Sequence, residues 1–378
     1  MIYLDYAATT PLHDEVRESY NDLLTKYFYN ADSLYDKGIE VHRLMERSRT
    51  LLSQMLGVKS EELLFTSGGT EANVAAIKGV AFQYQNRGKH LITTAIEHSS
   101  VYETCKQLEK VFGFKVTYLP VDSKGNISLQ QLENSISKDT ILVSIMAINN
   151  EIGVINPINE IKKIVKKHNT VKLHVDMVQA LGKITIDLSD IDLASFSAHK
   201  IYGLKGSGLL YKHEKTTIVP TIIGGQQEFG LRGGTSNACS NIIFAKTLRL
   251  ALENLDENYQ HVKTLNQYLR NSLKNIPEVV VISDARYCVP NVLSIACVGY
   301  RPEVILHALE SKEIYISTRS ACSSKTTSTP RVIQALQLKN EIGNSVLRIS
   351  LSSLTSQEDI DTFTQALQEV LETIKKQR

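Results

Sequence analysis

The 378-residue chain has no tryptophan, only eight prolines and five cysteines, and no uninterrupted apolar run of 18 residues. The missing run leaves no candidate for a membrane-spanning helix. The cysteines, Cys105, Cys239, Cys288, Cys297 and Cys322, are odd in number and scattered. They form no C-x-x-C pair and have no histidine at a zinc-type spacing, so no metal site is expected. An excess of one charge is also absent: 42 Lys and Arg against 40 Asp and Glu leave a net charge of +2. Such a balance gives no reason to expect direct nucleic-acid or membrane-surface binding. Repeats, low-complexity tracts and long charge runs are lacking. The opening residues, Met1 to Tyr6, read as a short strand with no basic and apolar leader ahead of them, and with the unpaired cysteines they fit a reduced, cytoplasmic location.

What is present is the composition of a folded globular protein, 42% hydrophobic and 22% charged. The length suggests two domains, or one large α/β core plus a smaller piece. From residue 60 onward, short apolar runs alternate with longer amphipathic segments, which is α/β patterning. Strands are expected at Leu63–Phe65, His90–Thr93, Val116–Leu119, Ile141–Ala147, Leu173–Val175, Leu193–Phe196 and Leu209–Tyr211. Several are almost continuously apolar, as strands buried on both faces should be. One long helical stretch is expected after Asn237, through Ala245 to about Leu273, bridging two domains and closed by Pro277. Beyond it, short strands (Val279–Ile282, Val292–Ala296, Val346–Ser350) mixed with helices (Pro302–Leu309, Gln357 onward) predict a small α+β unit.

Four stretches carry chemistry. Ser67–Asn73 joins a strand to a helix through two glycines, a geometry that offers backbone N–H groups and a helix dipole to a phosphate, although a plain capped turn reads equally well. Asp176 sits at the C-terminal end of a buried strand, where open α/β sheets place their ligands. An acid there needs a partner; the protonated ring nitrogen of pyridoxal phosphate would be one, and a cap on the following turn would be another use for it. Lys200, in Ala194–Gly203, also follows a buried strand, where desolvation would make its amine available for a Schiff base; Lys205 competes with it, and surface lysines are common. Cys322 lies in the Ser/Thr-rich stretch Ser317–Pro330 between Arg319 and Lys325, whose charges would favour a thiolate. Cys105 and Cys297 lie in apolar-periodic contexts and read as core.

Together these stretches are recognisable. Tyr3–Pro11, Phe65–Asn73, Glu97-His98, Asn149–Gly153, His174–Asp176, Ser197–Gly203, Arg232–Thr235 and Ser320–Cys322, in this order, resemble the cysteine desulfurases of the class V, fold-type I aminotransferase family over essentially the whole chain. The resemblance implies an α/β, fold-type I pyridoxal-phosphate-dependent transferase, with a large, mostly parallel sheet domain and a smaller α+β C-terminal domain. Residues 16–255 would form the large domain and 256–378 the small one, which would carry the cysteine loop; residues 1–15 would associate with the small domain.

By the same resemblance, Lys200 would bind the cofactor covalently, Asp176 would pair with its ring nitrogen, Gln179 would hydrogen-bond its ring oxygen and His98 would stack on the ring. Thr70, Ser197 and His199 would hold the phosphate, with Thr235 coming from the second subunit of a homodimer. Asn150 and Arg348 would receive the substrate carboxylate, to which a guanidinium fork is well matched; without the family context Arg348 reads as a surface salt bridge. Cys322 would be the nucleophile, taking sulfur from L-cysteine as a persulfide, releasing alanine, and passing the sulfur to an acceptor protein, a sulfurtransferase or an iron–sulfur scaffold. Departures from the family pattern fall at Asn30–Tyr35, Leu204, Gln226 and Ser352-Ser353. They point to a specialised paralogue with a dedicated acceptor, for instance in tRNA thiolation or thiamine synthesis. Two other readings stay open: another class V reaction (transamination or selenocysteine lysis), and a non-catalytic scaffold for a sulfurtransferase, since fold does not fix function.

Overall fold

The computed structural model of the chain describes residues 1–318 and 331–376. Its strands, in chain order, are β1 (Ile2–Tyr3), β2 (Leu63–Thr66), β3 (His90–Thr94), β4 (Lys115–Leu119), β5 (Thr140–Met146), β6 (Lys172–Asp176), β7 (Leu193–Ser197), β8 (Gly208–Lys212), β9 (Val279–Val281), β10 (Val292–Cys297), β11 (Ile314–Tyr315) and β12 (Val346–Ser350). Seven of them form the main sheet in the order β2-β8-β7-β6-β5-β3-β4. Only β8 runs against its neighbours; the other pairings are parallel. Every residue of β3, β5 and β7 is buried, because helices cover both faces of a parallel sheet. The period-2 alternation of a strand then divides each apolar run between two cores: Leu63 and Phe65 join one cluster and Leu64 the other, as do Ile92 and Leu91.

A separate apolar cluster holds Leu265 and Leu269 of the Leu255–Leu273 helix, Leu293 of β10, Leu347 of β12 and Phe363 of the Gln357–Thr373 helix. These helices pack around the antiparallel sheet β12-β10-β9. Leu4 belongs to the same cluster, and β1 pairs in parallel with β11. The first residues of the chain thus pack with some of the last.

Two differences from the sequence reading have physical causes. The expected single helix after Asn237 is two, Ala238–Glu253 and Leu255–Leu273, separated at Asn254, whose backbone (φ −121°, ψ 30°) leaves the helical region. Asparagine is a weak helix former, and its amide here bonds back to Leu252 O instead of continuing the ladder. The Asp14–Lys26 and Asp36–Leu56 helices lie ahead of residue 60 and were not anticipated. The signal of the second was present in Val41, Met45 and Leu52, which are buried at helical spacing.

The Asp36–Leu56 helix also supplies a buried ion pair. Arg49 donates to Glu228 at 2.7 Å and to Leu63 O at 2.6 Å, while Glu228 accepts from the Phe65 amide at 2.8 Å. The guanidinium carbon lies 4.6 Å from the centre of the Phe65 ring and 5.1 Å from that of Phe229. This cluster ties β2 to the loop that leads to Thr235.

Candidate active site

The C-terminal ends of β2, β6 and β7 converge on a cavity of about 200 Å³. From β2 the chain turns through Gly68 into the Gly69–Tyr84 helix, with Thr70 in its first turn. Gly68 has φ +145°, which an L-residue rarely adopts, and a Cβ on Gly208 would stand 2.5 Å from Gly68 Cα, so both positions require glycine. At the end of β6 stands Asp176, and at the end of β7 stands Ser197, followed by one 3-10 turn that presents His199 and Lys200. His98 caps the next helix, Ser99–Phe112. Asn150, Gln179 and Arg348 complete the lining proposed from the sequence. Thr235 is exposed and is not among the residues around this cavity of the single chain. Cys322 lies outside the described residues.

Asp176 is buried, and its two oxygens have different uses. Oδ1 accepts from the Val178 amide at 3.0 Å, the capping use weighed above, and Oδ2 accepts from Asn73 Nδ2 at 2.7 Å. Asn73 Nδ2 also donates to Ser100 Oγ at 2.9 Å, and Ser100 Oγ lies 2.8 Å from His98 Nδ1. A hydrogen-bonded bridge therefore joins the acid to the histidine. The Ser100 amide donates to the same Nδ1 at 3.2 Å. An N–H can only donate, so Nδ1 presents a lone pair and the proton of the neutral ring is on Nε2. Burial holds His98 below the usual histidine range, favouring that neutral form, with the Asp176 charge opposing and the Lys200 charge assisting.

Lys200 Nζ donates to Ala7 O at 2.7 Å and to Ala8 O at 2.6 Å, so the N-terminal segment closes one side of the cavity. His199 Nδ1 lies 3.1 Å from Thr9 Oγ1, and burial pushes its imidazolium down to about 4. Gln179 donates to Ala7 O at 3.0 Å and accepts from Lys183 at 3.1 Å. Arg348 is 3% exposed and so is no surface residue: it donates to Asn150 O at 2.9 Å and to Asp5 at 2.6 Å. Three buried polar atoms here have no partner among the described residues, Asn73 Oδ1, Ser197 Oγ and Arg348 Nε. An orphan hydroxyl beside the glycine turn and the helix N-terminus suits a phosphate, and an orphan guanidinium N–H suits a carboxylate.

The family profile "Aminotransferase class-V" matches residues 2–363. The chain is 40% identical over 377 residues to "Cysteine desulfurase IscS" of Dictyoglomus turgidum, covering 99% of this chain and 95% of that protein. The chain belongs to the cysteine desulfurase branch of the class-V aminotransferases. Among solved structures, a "NIFS-LIKE PROTEIN" superposes with a TM-score of 0.93 at 37% identity, covering 99% of this chain and all of the other. A second, "SspA in complex with cysteine", matches with a TM-score of 0.82 at 30% identity, over 94% of this chain and all of the other. The family is one of pyridoxal-phosphate enzymes. The residues present fit that cofactor: Asp176 offers a negative charge, Lys200 an amine, and Ser197 an orphan donor at the glycine turn.

Sequence reading gave no role to Asn73, Ser100, Lys183 or Asp5. Asn73 and Asp5 lie inside the recognised stretches, so a polar residue in a family motif was the available signal. For Ser100 and Lys183 the sequence held none, because their importance lies in what they touch. Cys105 and Cys297 are fully buried, as expected, and burial pushes their thiols up to about 12. Among the described residues no helix is long and apolar enough to cross a membrane, and no cluster of His, Cys, Asp or Glu could hold a metal ion.

Proposed function

We propose that the chain is a pyridoxal-phosphate-dependent cysteine desulfurase that converts L-cysteine to L-alanine and leaves the sulfur as a persulfide on Cys322. The observation that carries this reading is the convergence of Lys200, Asp176 and Arg348 on one small cavity in a chain of the cysteine desulfurase branch. Pyridoxal phosphate, when bound, supplies an electron sink for negative charge at the substrate Cα. Thr70, Ser197 and His199 would seat its phosphate, Gln179 its ring oxygen and Asp176 its ring nitrogen, with His98 over the ring.

Arg348 and Asn150 hold the substrate carboxylate and so orient the cysteine. Lys200 Nζ takes the Cα proton and later returns it. Neutral His98 offers its Nε2–H as a donor into the cavity. The Cys322 thiolate attacks the substrate sulfur; the S–S bond forms as the Cβ–S bond breaks, its electron pair stays on carbon, and protonation gives alanine. Persulfide and alanine together account for every atom of the cysteine. Sulfur then passes to an acceptor protein, a sulfurtransferase or an iron–sulfur scaffold. The working unit is a homodimer in which the partner chain supplies a threonine equivalent to Thr235, and its location is cytoplasmic.

The test is mass spectrometry after incubation with L-cysteine, with alanine assayed in the same tube. The expected result is a persulfide on the Cys322 peptide, stoichiometric alanine, and loss of sulfur transfer in Cys322→Ser. Another class V reaction would leave the Cys322→Ser variant as active as the parent.

A further inference from the structure

Lys183 has no place in the chemistry above, yet it lies between two cavities. It lines a second one, of about 450 Å³, with Tyr202 and Ser353, and Lys200 lines both. No acidic side chain among the described residues pairs with it. Burial and the nearby Lys200 charge push its ammonium down to about 7. A cation placed without a counter-ion is stabilised when negative charge comes within reach, directly or through a polarised neighbour.

The neighbour is Gln179. Lys183 Nζ donates to Gln179 Oε1 at 3.1 Å, and Gln179 Nε2 donates to Ala7 O at 3.0 Å. The Ala7 carbonyl can only accept, so Nε2 faces it and Oε1 faces Lys183. One N–H of Nε2 is then left uncommitted, on a buried side chain that lines the 200 Å³ cavity. With Lys183 removed, the Ala7 carbonyl alone holds the amide, and the donor that polarises its second N–H is gone.

We infer that Lys183 is a positioning residue for the cofactor: it holds and polarises the Gln179 amide so that its second N–H meets the ring oxygen of pyridoxal phosphate. The inference rests on the function proposed above. It differs from a merely structural role because it makes Lys183 and Gln179 partners, and effects transmitted through a shared contact are not additive.

The experiment measures pyridoxal phosphate affinity, by equilibrium titration of the apoprotein, and the position of the bound cofactor's visible band. It uses the full chain as parent, Lys183→Met, Lys183→Arg, Gln179→Ala and the Met/Ala double variant. Loss of a charge-assisted hydrogen bond predicts about tenfold weaker binding in Lys183→Met, with a displaced band. Lys183→Arg keeps the charge and donors and restores both. In the Gln179→Ala background, Lys183→Met changes both far less. Equal weakening in both backgrounds overturns the inference while leaving the proposed function standing; a parent that takes up no pyridoxal phosphate overturns both. Where Lys183→Met does not fold, Lys183→Gln replaces it in the same cycle.

Discussion

Asp5 and Arg348 are joined at 2.6 Å across 343 residues of chain, with the Arg348 guanidinium also held by Asn150 O. Burial raises the Asp5 carboxyl, and the Arg348 charge opposes that rise, so each member of the pair makes the other's charged state tolerable. The guanidinium is thereby oriented before any substrate arrives. Arg348→Lys keeps a charge but loses the fork. It should raise the KM for L-cysteine about ten- to a hundredfold, the value of a lost charge-assisted contact, with cofactor uptake unchanged. Initial rates of alanine release, paired with an absorption spectrum, check this.

Glu97 is fully buried and its carboxyl is pushed up to about 8 by desolvation. One oxygen accepts from Thr94 Oγ1 at 2.7 Å and from the Met146 amide at 3.0 Å; the other has no partner among the described residues. Because the folded group keeps its proton above the unfolded value, folding binds a proton between about pH 4.5 and 8. Stability therefore falls as pH rises through that window. Glu97→Gln should remove the slope, gaining on the parent as pH goes from 5 to 8 and matching it below 4.5. Urea denaturation at several pH values measures the difference; a constant offset would refute the assignment.

Arg49→Ala would leave Glu228 buried and unpaired beside Phe65 and Phe229. Breaking a buried pair from one side costs about 3–5 kcal/mol. Urea unfolding should show a loss of that size, and adding Glu228→Gln to the same chain should recover part of it.

The lone pair assigned to His98 Nδ1 is directly observable. In ¹⁵N spectra of histidine-labelled apoprotein at neutral pH, His98 should carry its proton on Nε2. A proton on Nδ1 would contradict the bonds from the Ser100 amide and hydroxyl.

Asp176, Lys200 and the glycine turn were legible because each stands just after a short, mainly apolar segment, and such a segment announces a strand wherever it falls. Asn73 was not legible in the same way: its partners Ser100 and Asp176 lie 27 and 103 residues away, and a hydrogen bond leaves no periodicity. Arg49 and Glu228 are separated by 179 residues, and on the Asp36–Leu56 helix an arginine reads as a solvated face until a second loop covers it. The break at Asn254 was hidden for a related reason. The apolar spacing on either side is helical, and one weak helix former does not announce where the axis turns.

The N-terminal strap has a consequence in time. Ala7 donates its amide to Ser350 Oγ at 2.9 Å, Ser350 donates its amide to Leu4 O at 2.7 Å, and the carbonyls of Ala7 and Ala8 receive the Lys200 ammonium. Leu4 and Ala7 must therefore wait for Ser350, 343 residues further along the chain than Ala7. Contacts of such sequence separation form late. During synthesis the sheet can assemble and Lys200 can reach its place, while Leu4 O and the Ala7 amide stay without Ser350 until β12 has emerged. The enzyme's pocket is sealed by joining Leu4 and Ala7 to β12, so a nascent chain that stalls short of residue 350 holds its lysine in a site not yet closed.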